Sequence, residues 1–191
     1  MKITTKPVNR APDKAQIKAL YRSAFPREER LPWWLLRLLA AGKRSDLTAY
    51  YDGEAFCGLA YTATAGDVFY AMFLAVAEDR RGQGCGSGIL THMKKSHPGK
   101  TILLNVELLD EAAPNNDQRI RRMAFYRKNG FCDTGYNIWE VGGVFRILSS
   151  TGNMDATAYQ RVFLKLSYGL WKPKIEYVCP AEKPANDPEE M

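Results

Sequence analysis

The sequence is poor in the residues that most often bind metals. It holds two histidines and four cysteines in 191 residues, and no two cysteines have the C-x-x-C spacing of a zinc site. Without a partner motif, His92 and His97 support neither a metal centre nor a catalytic triad. The sequence therefore predicts no metal site and cysteines that stay reduced.

Long hydrophobic runs are missing as well. No apolar stretch approaches the roughly 18 residues that a membrane helix needs, and the first residues lack the apolar core of a signal peptide. These absences predict no membrane partner and a cytoplasmic location. With 46% hydrophobic residues, a chain of 191 residues is expected to bury the core of a single domain.

What the sequence does hold is a glycine-rich turn between a strand pattern and a helix pattern. Residues 68–76 are apolar at odd and at even positions alike, which is typical of a strand buried on both faces of a sheet. In residues 86–93, apolar side chains recur at helical spacing. Glycine occupies alternate positions between them, and Arg80 and Arg81 precede the turn. Bare N–H groups at a helix start, with nearby arginines, are suited to a diphosphate.

Two common phosphate-binding motifs do not fit this turn. A P-loop needs Lys and then Ser or Thr after its last glycine, whereas here Ser87 is followed by another glycine. The dinucleotide fingerprint fails because its third glycine would fall on Ser87 or on Ile89. The pattern that fits is Arg-x-x-Gly-x-Gly, filled by Arg81, Gly84 and Gly86.

A second motif follows in residues 124–131, which read Ala-Phe-Tyr-Arg-Lys-Asn-Gly-Phe, the end of a helix that runs into a strand. In this order, the two motifs resemble the acyl-CoA loop and the Phe-Tyr-x-Lys-x-Gly-Phe segment of the GCN5-related N-acetyltransferase (GNAT) superfamily. The resemblance extends from Gln16 to Leu148.

The resemblance implies acetyl-CoA (coenzyme A) as the cofactor. N–H groups of the glycine-rich turn would bind its pyrophosphate, and the edge of the preceding strand would bind its pantetheine arm. The cofactor-binding residues implied are Leu74, Ala75, Val76, Arg81, Gly82, Gln83, Gly84, Cys85, Gly86, Ser87, Arg119 and Tyr126. Arg119 stands where many family members carry an asparagine, so this contact departs from the family's pattern.

Two side chains are predicted to be catalytic. By resemblance, Tyr126 lies beside the cofactor sulfur and protonates the departing thiolate, a core tyrosine being the alternative. Asn105 and Glu107 put polar groups on one face of an interior strand, over residues 101–108. In the family the acyl group enters a gap between strands at this level, which favours Glu107 as general base. A structural hydrogen bond is the alternative role for Glu107.

The acceptor side is predicted to lie near residues 25–39. By resemblance, Glu28 and Glu29 would hold a cationic amine. The adjacent Trp33 and Trp34 on a short helix with an apolar excess suggest a lip over a ligand or a partner. The alternatives are solvated carboxylates and a tryptophan that caps the core. The helix in this segment is predicted to bury one stripe, made of Leu31, Trp34, Leu35, Leu38 and Leu39.

A formal net charge of +6, from 27 basic and 21 acidic residues, is compatible with a polyanionic partner. The arginines cluster at positions 80–81 and 119–122, beside the two motifs. Cofactor phosphates account for them, so a nucleic-acid partner is not expected.

The fold class predicted is α/β, with a mixed, mostly antiparallel sheet of six or seven strands flanked by helices. Strands 68–76 and 101–108 would form a central parallel pair joined by a helical crossover. Residues 1–171 would make one acyltransferase domain, and residues 172–191, with four prolines and an acidic end, a tail.

The resemblance predicts transfer of an acetyl group from acetyl-CoA to a primary amine of a small molecule or a peptide, by direct attack. An inactive CoA-binding sensor with the same fold is the alternative. The sequence does not choose among polyamine, amino acid, aminoglycoside and peptide acceptors, nor between a monomer and a homodimer.

Overall fold

The strands of the protein form one open sheet. The structure, a computed structural model, describes residues 1–140 and 142–178. Within these ranges the strands are β1 (Ile3–Pro7), β2 (Asp46–Asp52), β3 (Ala55–Ala65), β4 (Val68–Val76), β5 (Thr101–Glu107), β6 (Cys132–Glu140), β7 (Gly143–Ser149) and β8 (Lys174–Tyr177). Residues Asp52 and Ala55 pair at the end of the β2–β3 hairpin.

Five α-helices flank the sheet in the described residues. They are α1 (Lys14–Ala24), α2 (Trp33–Ala41), α3 (Cys85–Ser96), α4 (Asn116–Lys128) and α5 (Ala156–Leu166). The start of α5 has a side-chain cap, because the Asp155 carboxylate accepts hydrogen bonds from the N–H groups of Thr157 and Ala158. None of the five is both long and apolar enough to cross a membrane.

The sheet topology confirms the predicted fold class. The strand order is β1-β2-β3-β4-β5-β7-β6-β8. Neighbouring strands run antiparallel except β4 and β5, which pair in parallel and are connected through α3. The sheet therefore has the predicted central parallel pair but eight strands, not six or seven.

The additional strand is β8, which lies in the predicted tail and pairs antiparallel with β6, Tyr136 opposite Tyr177. Its four residues alternate charged and apolar side chains over too short a length to predict a strand from the sequence. Residues 179–191 of the predicted tail lie outside the described residues. The domain boundary after residue 171 stays a prediction.

A β-bulge in β4 changes which face of the sheet the residues of this strand point to. Tyr61 pairs with Phe73 and Thr62 with Ala71, so Met72 is an extra residue without a partner on β3. Before the bulge Tyr70 packs on the α5 side, and after it Phe73 packs on the α1–α2 side. The bulge keeps both residues on one face, so α1, α2 and α5 cover that face while α3 and α4 cover the other.

The predicted apolar stripe of α2 is wrong. Leu36, placed outside the stripe, is fully buried at 0% exposure, and Trp33 packs beside it on the same core. Trp34 and Leu38, placed inside the stripe, are 65% and 61% exposed. Eight of the nine positions in α2 carry Trp, Leu or Ala, and Arg37 is the ninth, so the pattern does not select a face.

Candidate active site

A cleft opens where β4 and β5 stop pairing. Their ladder runs from Val68 opposite Thr101 to Ala71 opposite Leu104 and ends there. The bulge at Met72 follows directly in β4, and a bulge bends a strand and increases its twist. Residues 73–76 of β4 therefore diverge from β5, and their backbone edge lies along the cleft. This is the gap between parallel strands that the family resemblance implies.

The cleft has a volume of about 980 Å³ and joins two chemically different ends. One end is lined by the glycine-rich turn, by Arg80 and Arg81, and by Arg121 of α4. The other end is lined by side chains that are acidic or polar, namely Glu29, Asn105, Glu107 and Glu140. The cationic end suits an anionic ligand, and the acidic end, beyond the apolar strand edge, suits a cationic one.

The glycine-rich turn has the backbone geometry of an anion site. Gly84 is the N-cap of α3 and adopts a left-handed conformation with φ of 84°. The first intrahelical bond is the one that Gly88 N–H donates to the Gly84 carbonyl, at 2.9 Å, so the preceding N–H groups of the helix are not used within it. A Cβ on Gly86 would come within 2.9 Å of Phe125 Cζ, so only glycine leaves this close packing undisturbed. The loop thus offers unpaired donors at a helix N-terminus.

Most of the residues predicted to bind the cofactor line this cleft. They are Leu74, Ala75, Val76, Arg81, Gly82, Gly84, Gly86, Ser87 and Tyr126. The side chains of Gln83 and Cys85 point elsewhere. Gln83 Nε2 donates to the Asp79 carbonyl at 2.7 Å, and Cys85 is buried with its Sγ 3.3 Å from Cys57 Sγ. Only the backbone of these two residues takes part in the loop.

Arg119 lies away from this cleft. Its Nε donates to Asn115 Oδ1 at 3.0 Å and its Nη1 to the Leu108 carbonyl at 2.7 Å. These bonds tie α4 to the loop after β5, beside a smaller neighbouring cavity. The α4 residues that line the main cleft at this level are Arg121 and Arg122.

Tyr126 is a buried tyrosine at the wall of the cleft. It is buried at 8% exposure and lines the cleft beside the glycine-rich turn. Its hydroxyl has no hydrogen-bond partner within residues 1–140 and 142–178, which is also true of the buried hydroxyls of Tyr51 and Tyr61. Burial raises the pKa of Tyr126, and the Arg122 guanidinium acts weakly in the opposite direction. The phenol therefore stays protonated at neutral pH.

Glu107 lines the cleft but has a cationic partner. Its Oε2 accepts from Arg122 Nη1 in an ion pair, and Asn115 Nδ2 lies 3.5 Å from its Oε1. An ion pair stabilises the carboxylate and makes it a weaker base. Glu107 thus makes structural contacts of the kind that the sequence analysis gave as the alternative to a role as general base.

The three residues predicted for the acceptor side separate in space. Glu29 lines the cleft, and its side chain lies under Gly142 of the β6–β7 turn. Burial raises the pKa of Glu29, while Arg122 opposes this shift. Glu28 is exposed, and Trp33 packs against Tyr21 with ring centroids 5.6 Å apart, in the core rather than at the cleft.

Glu140 is a cleft residue that the sequence analysis did not identify. Its Oε1 accepts from Tyr70 Oη at 3.1 Å and from the side-chain amide of Asn105. Tyr159 Oη donates in turn to Asn105 Oδ1 at 3.0 Å. The sequence feature that points to this cluster is Asn105, a polar residue in an interior strand. Glu140 itself stands next to the turn that contains Gly142 and Gly143, where a carboxylate is not unusual.

Metal ligands do not gather at the cleft or elsewhere in the described part of the chain. No group of three or more His, Cys, Asp or Glu side chains there could hold a metal ion.

Comparison with known proteins gives a family match in the part of the chain that builds the cleft. A family model described as "Acetyltransferase (GNAT) domain" matches residues 43–133. "Putative acetyltransferase YjbC" of Bacillus subtilis (strain 168) is 33% identical over 89 residues. That alignment covers 47% of this chain and 43% of the relative, so the chain matches less than half the length of this curated protein.

Solved structures share the fold at low sequence identity. "Putative acetyltransferase from GNAT family from Bacteroides thetaiotaomicron" superposes with a TM-score of 0.66 at 19% identity, over 90% of this chain and 100% of that one. An aminoglycoside 6'-N-acetyltransferase complexed with coenzyme A superposes with a TM-score of 0.59 at 19% identity, over 81% and 99% of the two chains. Residues 43–133, which include the parallel strands β4 and β5 and the glycine-rich turn, thus match an acetyltransferase (GNAT) domain, and the solved structures share the fold of the chain.

Proposed function

We propose that the chain is an N-acetyltransferase that moves the acetyl group of acetyl-CoA to a primary amine by direct attack. The observation that carries this proposal is the continuity of the cleft. A single cavity joins the anion-binding turn, the free edge of β4, the buried Tyr126 hydroxyl and the acidic far end. The family match and the coenzyme A complex of a structural neighbour support the same cofactor.

The residues of the cleft fit acetyl-CoA in the order of its parts. The N–H groups at the start of α3, together with Arg80 and Arg81, would hold the pyrophosphate. The edge of β4 at residues 73–76 would pair with the pantetheine amides, because β5 leaves that edge open. Exposed Arg121, also at the cationic end, would add a screened contact to phosphate.

When bound, acetyl-CoA supplies a thioester whose thiol leaves as the new amide forms. The amine nitrogen forms a bond to the acetyl carbon, and the carbon–sulfur bond breaks. A backbone N–H near Leu74 would polarise the acetyl oxygen. Tyr126 would give its proton to the leaving thiolate, which is costly to leave charged in a poorly hydrated cleft. Direct attack also agrees with Cys85, which is buried against Cys57 and not presented to the cleft.

The acceptor would enter at the acidic end. Glu29 lines both the main cleft and the neighbouring cavity of about 570 Å³, so the two cavities are adjacent at this residue. A carboxylate at this point favours an acceptor that arrives as an ammonium ion. The acceptor itself, a small molecule or a peptide terminus, a cytoplasmic location and a monomeric or dimeric state remain parts of the proposal.

An inactive CoA-binding sensor is the second candidate, because the cofactor end of the cleft could function without the acceptor end. The first experiment is calorimetric titration with acetyl-CoA, followed by thiol release with a panel of polyamines, amino acids, aminoglycosides and peptides. Binding with thiol release for one amine supports the transferase. Binding without release across the panel favours the sensor, and no binding at micromolar concentration contradicts both.

A further inference from the structure

Glu140 is held at the acidic end of the cleft by two residues that are far from it in the sequence. Tyr70 of β4 and Asn105 of β5 both donate to one oxygen, Oε1. Its second oxygen, Oε2, has no hydrogen-bond partner among the described residues. Because Glu140 lines the cleft, this arrangement leaves one oxygen fixed and the other available to a ligand.

Two buried tyrosines and the half-buried Asn105 fix the position of Glu140. Asn105 Nδ2 also donates to Tyr70 Oη at 3.0 Å, and Tyr159 Oη donates to Asn105 Oδ1 at 3.0 Å. Tyr70 and Tyr159 are fully buried, with their rings packed edge to face at 5.0 Å. A carboxylate supported by side chains from β4, β5 and α5 loses little orientational freedom when a substrate binds.

Glu140 and Glu107 differ in the charges around them. Glu107 is neutralised by its ion pair with Arg122. The titratable groups that face Glu140 are the hydroxyls of Tyr70 and Tyr159 and the carboxylate of Glu29, none of which is a cation at neutral pH. Burial raises the pKa of Glu140 to about 7, the Tyr70 and Asn105 hydrogen bonds oppose this shift, and Glu29 adds to it. A carboxylate that titrates near neutral pH is a better proton acceptor than a salt-bridged one.

We infer that Glu140, rather than Glu107, is the general base that takes a proton from the acceptor amine. This inference rests on the proposed transferase function. The acceptor arrives as an ammonium ion and gives one proton to Glu140 Oε2, which leaves the nitrogen lone pair free to attack the acetyl carbon. As the carbon–sulfur bond breaks, the thiolate takes its proton from Tyr126. The nitrogen of the new amide gives up its second proton, which passes through water to the Tyr126 phenolate and restores the phenol. The proton on Glu140 then passes to water at the cleft mouth.

The test compares Glu140→Gln with Glu107→Gln by steady-state kinetics across pH, with an amine that the wild-type enzyme acetylates. Glutamine keeps an Oε1 that accepts both hydrogen bonds, so only the proton-accepting function is removed. We expect kcat/KM of the Glu140→Gln variant to fall by about 100-fold while its acetyl-CoA Kd stays unchanged. The wild-type inflection near pH 7 should disappear, and the rate should rise only as free amine accumulates.

The Glu107→Gln variant serves as the matched control and should keep the wild-type inflection. A second variant, Tyr70→Phe, removes one hydrogen bond that stabilises the Glu140 carboxylate and should move the inflection to higher pH. If circular dichroism shows that Glu140→Gln does not fold, the shift of the inflection in Tyr70→Phe still tests the role of Glu140.

The outcomes separate the inference from the proposed function. An active wild-type enzyme whose Glu140→Gln variant keeps its rate and its pH profile overturns the inference alone. Loss of the inflection in Glu107→Gln instead of Glu140→Gln returns the role to Glu107. A wild-type protein that acetylates no amine overturns both the transferase proposal and the base assignment.

Discussion

Ala71 and Leu104 form the last pair of the parallel β4–β5 ladder, and the bulged residue Met72 follows directly after it. The bulge turns β4 away from β5 at the level where the cleft begins. The exposed edge of β4 is thus produced by one extra residue in an otherwise regular strand. The same residue decides which side chains of β4 line the cleft and which enter the core.

Tyr126 should matter for turnover and not for cofactor affinity. In Tyr126→Phe the ring stays packed against Phe131, but the thiolate loses its proton donor. We expect kcat to fall by about 100-fold with an acetyl-CoA Kd close to the wild-type value. Thiol-release kinetics and calorimetry measure the two quantities. Tyr136→Phe, which changes a tyrosine packed on Tyr177 outside the cleft, is the control, and wild-type turnover in Tyr126→Phe would remove the assigned role.

Arg121 and Arg119 should differ in their effect on acetyl-CoA binding. Arg121 lines the cleft and is exposed, so Arg121→Ala should weaken binding by about fivefold at low salt, as expected for a contact worth about 1 kcal/mol. The difference should shrink at high salt because the contact is screened. Arg119→Ala breaks contacts to Asn115 and Leu108 and should leave the affinity unchanged. A larger loss of affinity in Arg119→Ala would return it to the cofactor site.

Glu140 should make the stability of the protein depend on pH. Its pKa rises from 4.5 to about 7 on folding, so between these values the native state binds more protons than the unfolded state. Stability is therefore highest at low pH in this window and falls as pH rises through 7, by roughly 2–3 kcal/mol after allowance for partial exposure. Urea denaturation of wild type and Glu140→Gln at about pH 5 and about pH 8 measures this difference.

In that experiment the stability of wild type relative to Glu140→Gln should decrease with rising pH. Glu29 also has a raised pKa, and it remains in both proteins, so the comparison isolates Glu140. An equal stability difference at the two pH values would show that Glu140 titrates alike in the folded and unfolded states. Glu54→Gln, an exposed carboxylate in the β2–β3 turn, is the matched control.

The buried face of α2 can be tested by stability alone. Leu36→Ala removes a fully buried side chain and should lower the free energy of unfolding by about 3 kcal/mol. Leu38→Ala, in the same helix, changes an exposed side chain and should stay within about 0.5 kcal/mol of wild type. Chemical denaturation measures both, and equal costs would contradict the orientation of this helix.

Local sequence patterns were sufficient for much of the fold. The doubly apolar run at 68–76, the alternating strand at 101–107 and the helix after the glycine-rich turn lie where their periodicity predicts. The same holds for the loop itself, because a left-handed Gly84 and a helix start at Cys85 depend on residues that are adjacent in the chain. The family resemblance rested on these segments and is confirmed.

The sequence by itself thus determined the strand and helix on either side of the glycine-rich turn, the central parallel pair and the turn that lines the cationic end of the cleft. Only the tertiary structure decided the buried face of α2, the bulge at Met72 and the partnership of Glu140 with Asn105, which are 35 positions apart. The physical reason is the range of the interactions. Backbone propensity and periodicity act between neighbours, whereas the environment of a carboxylate is set by whichever distant groups the packed strands bring against it.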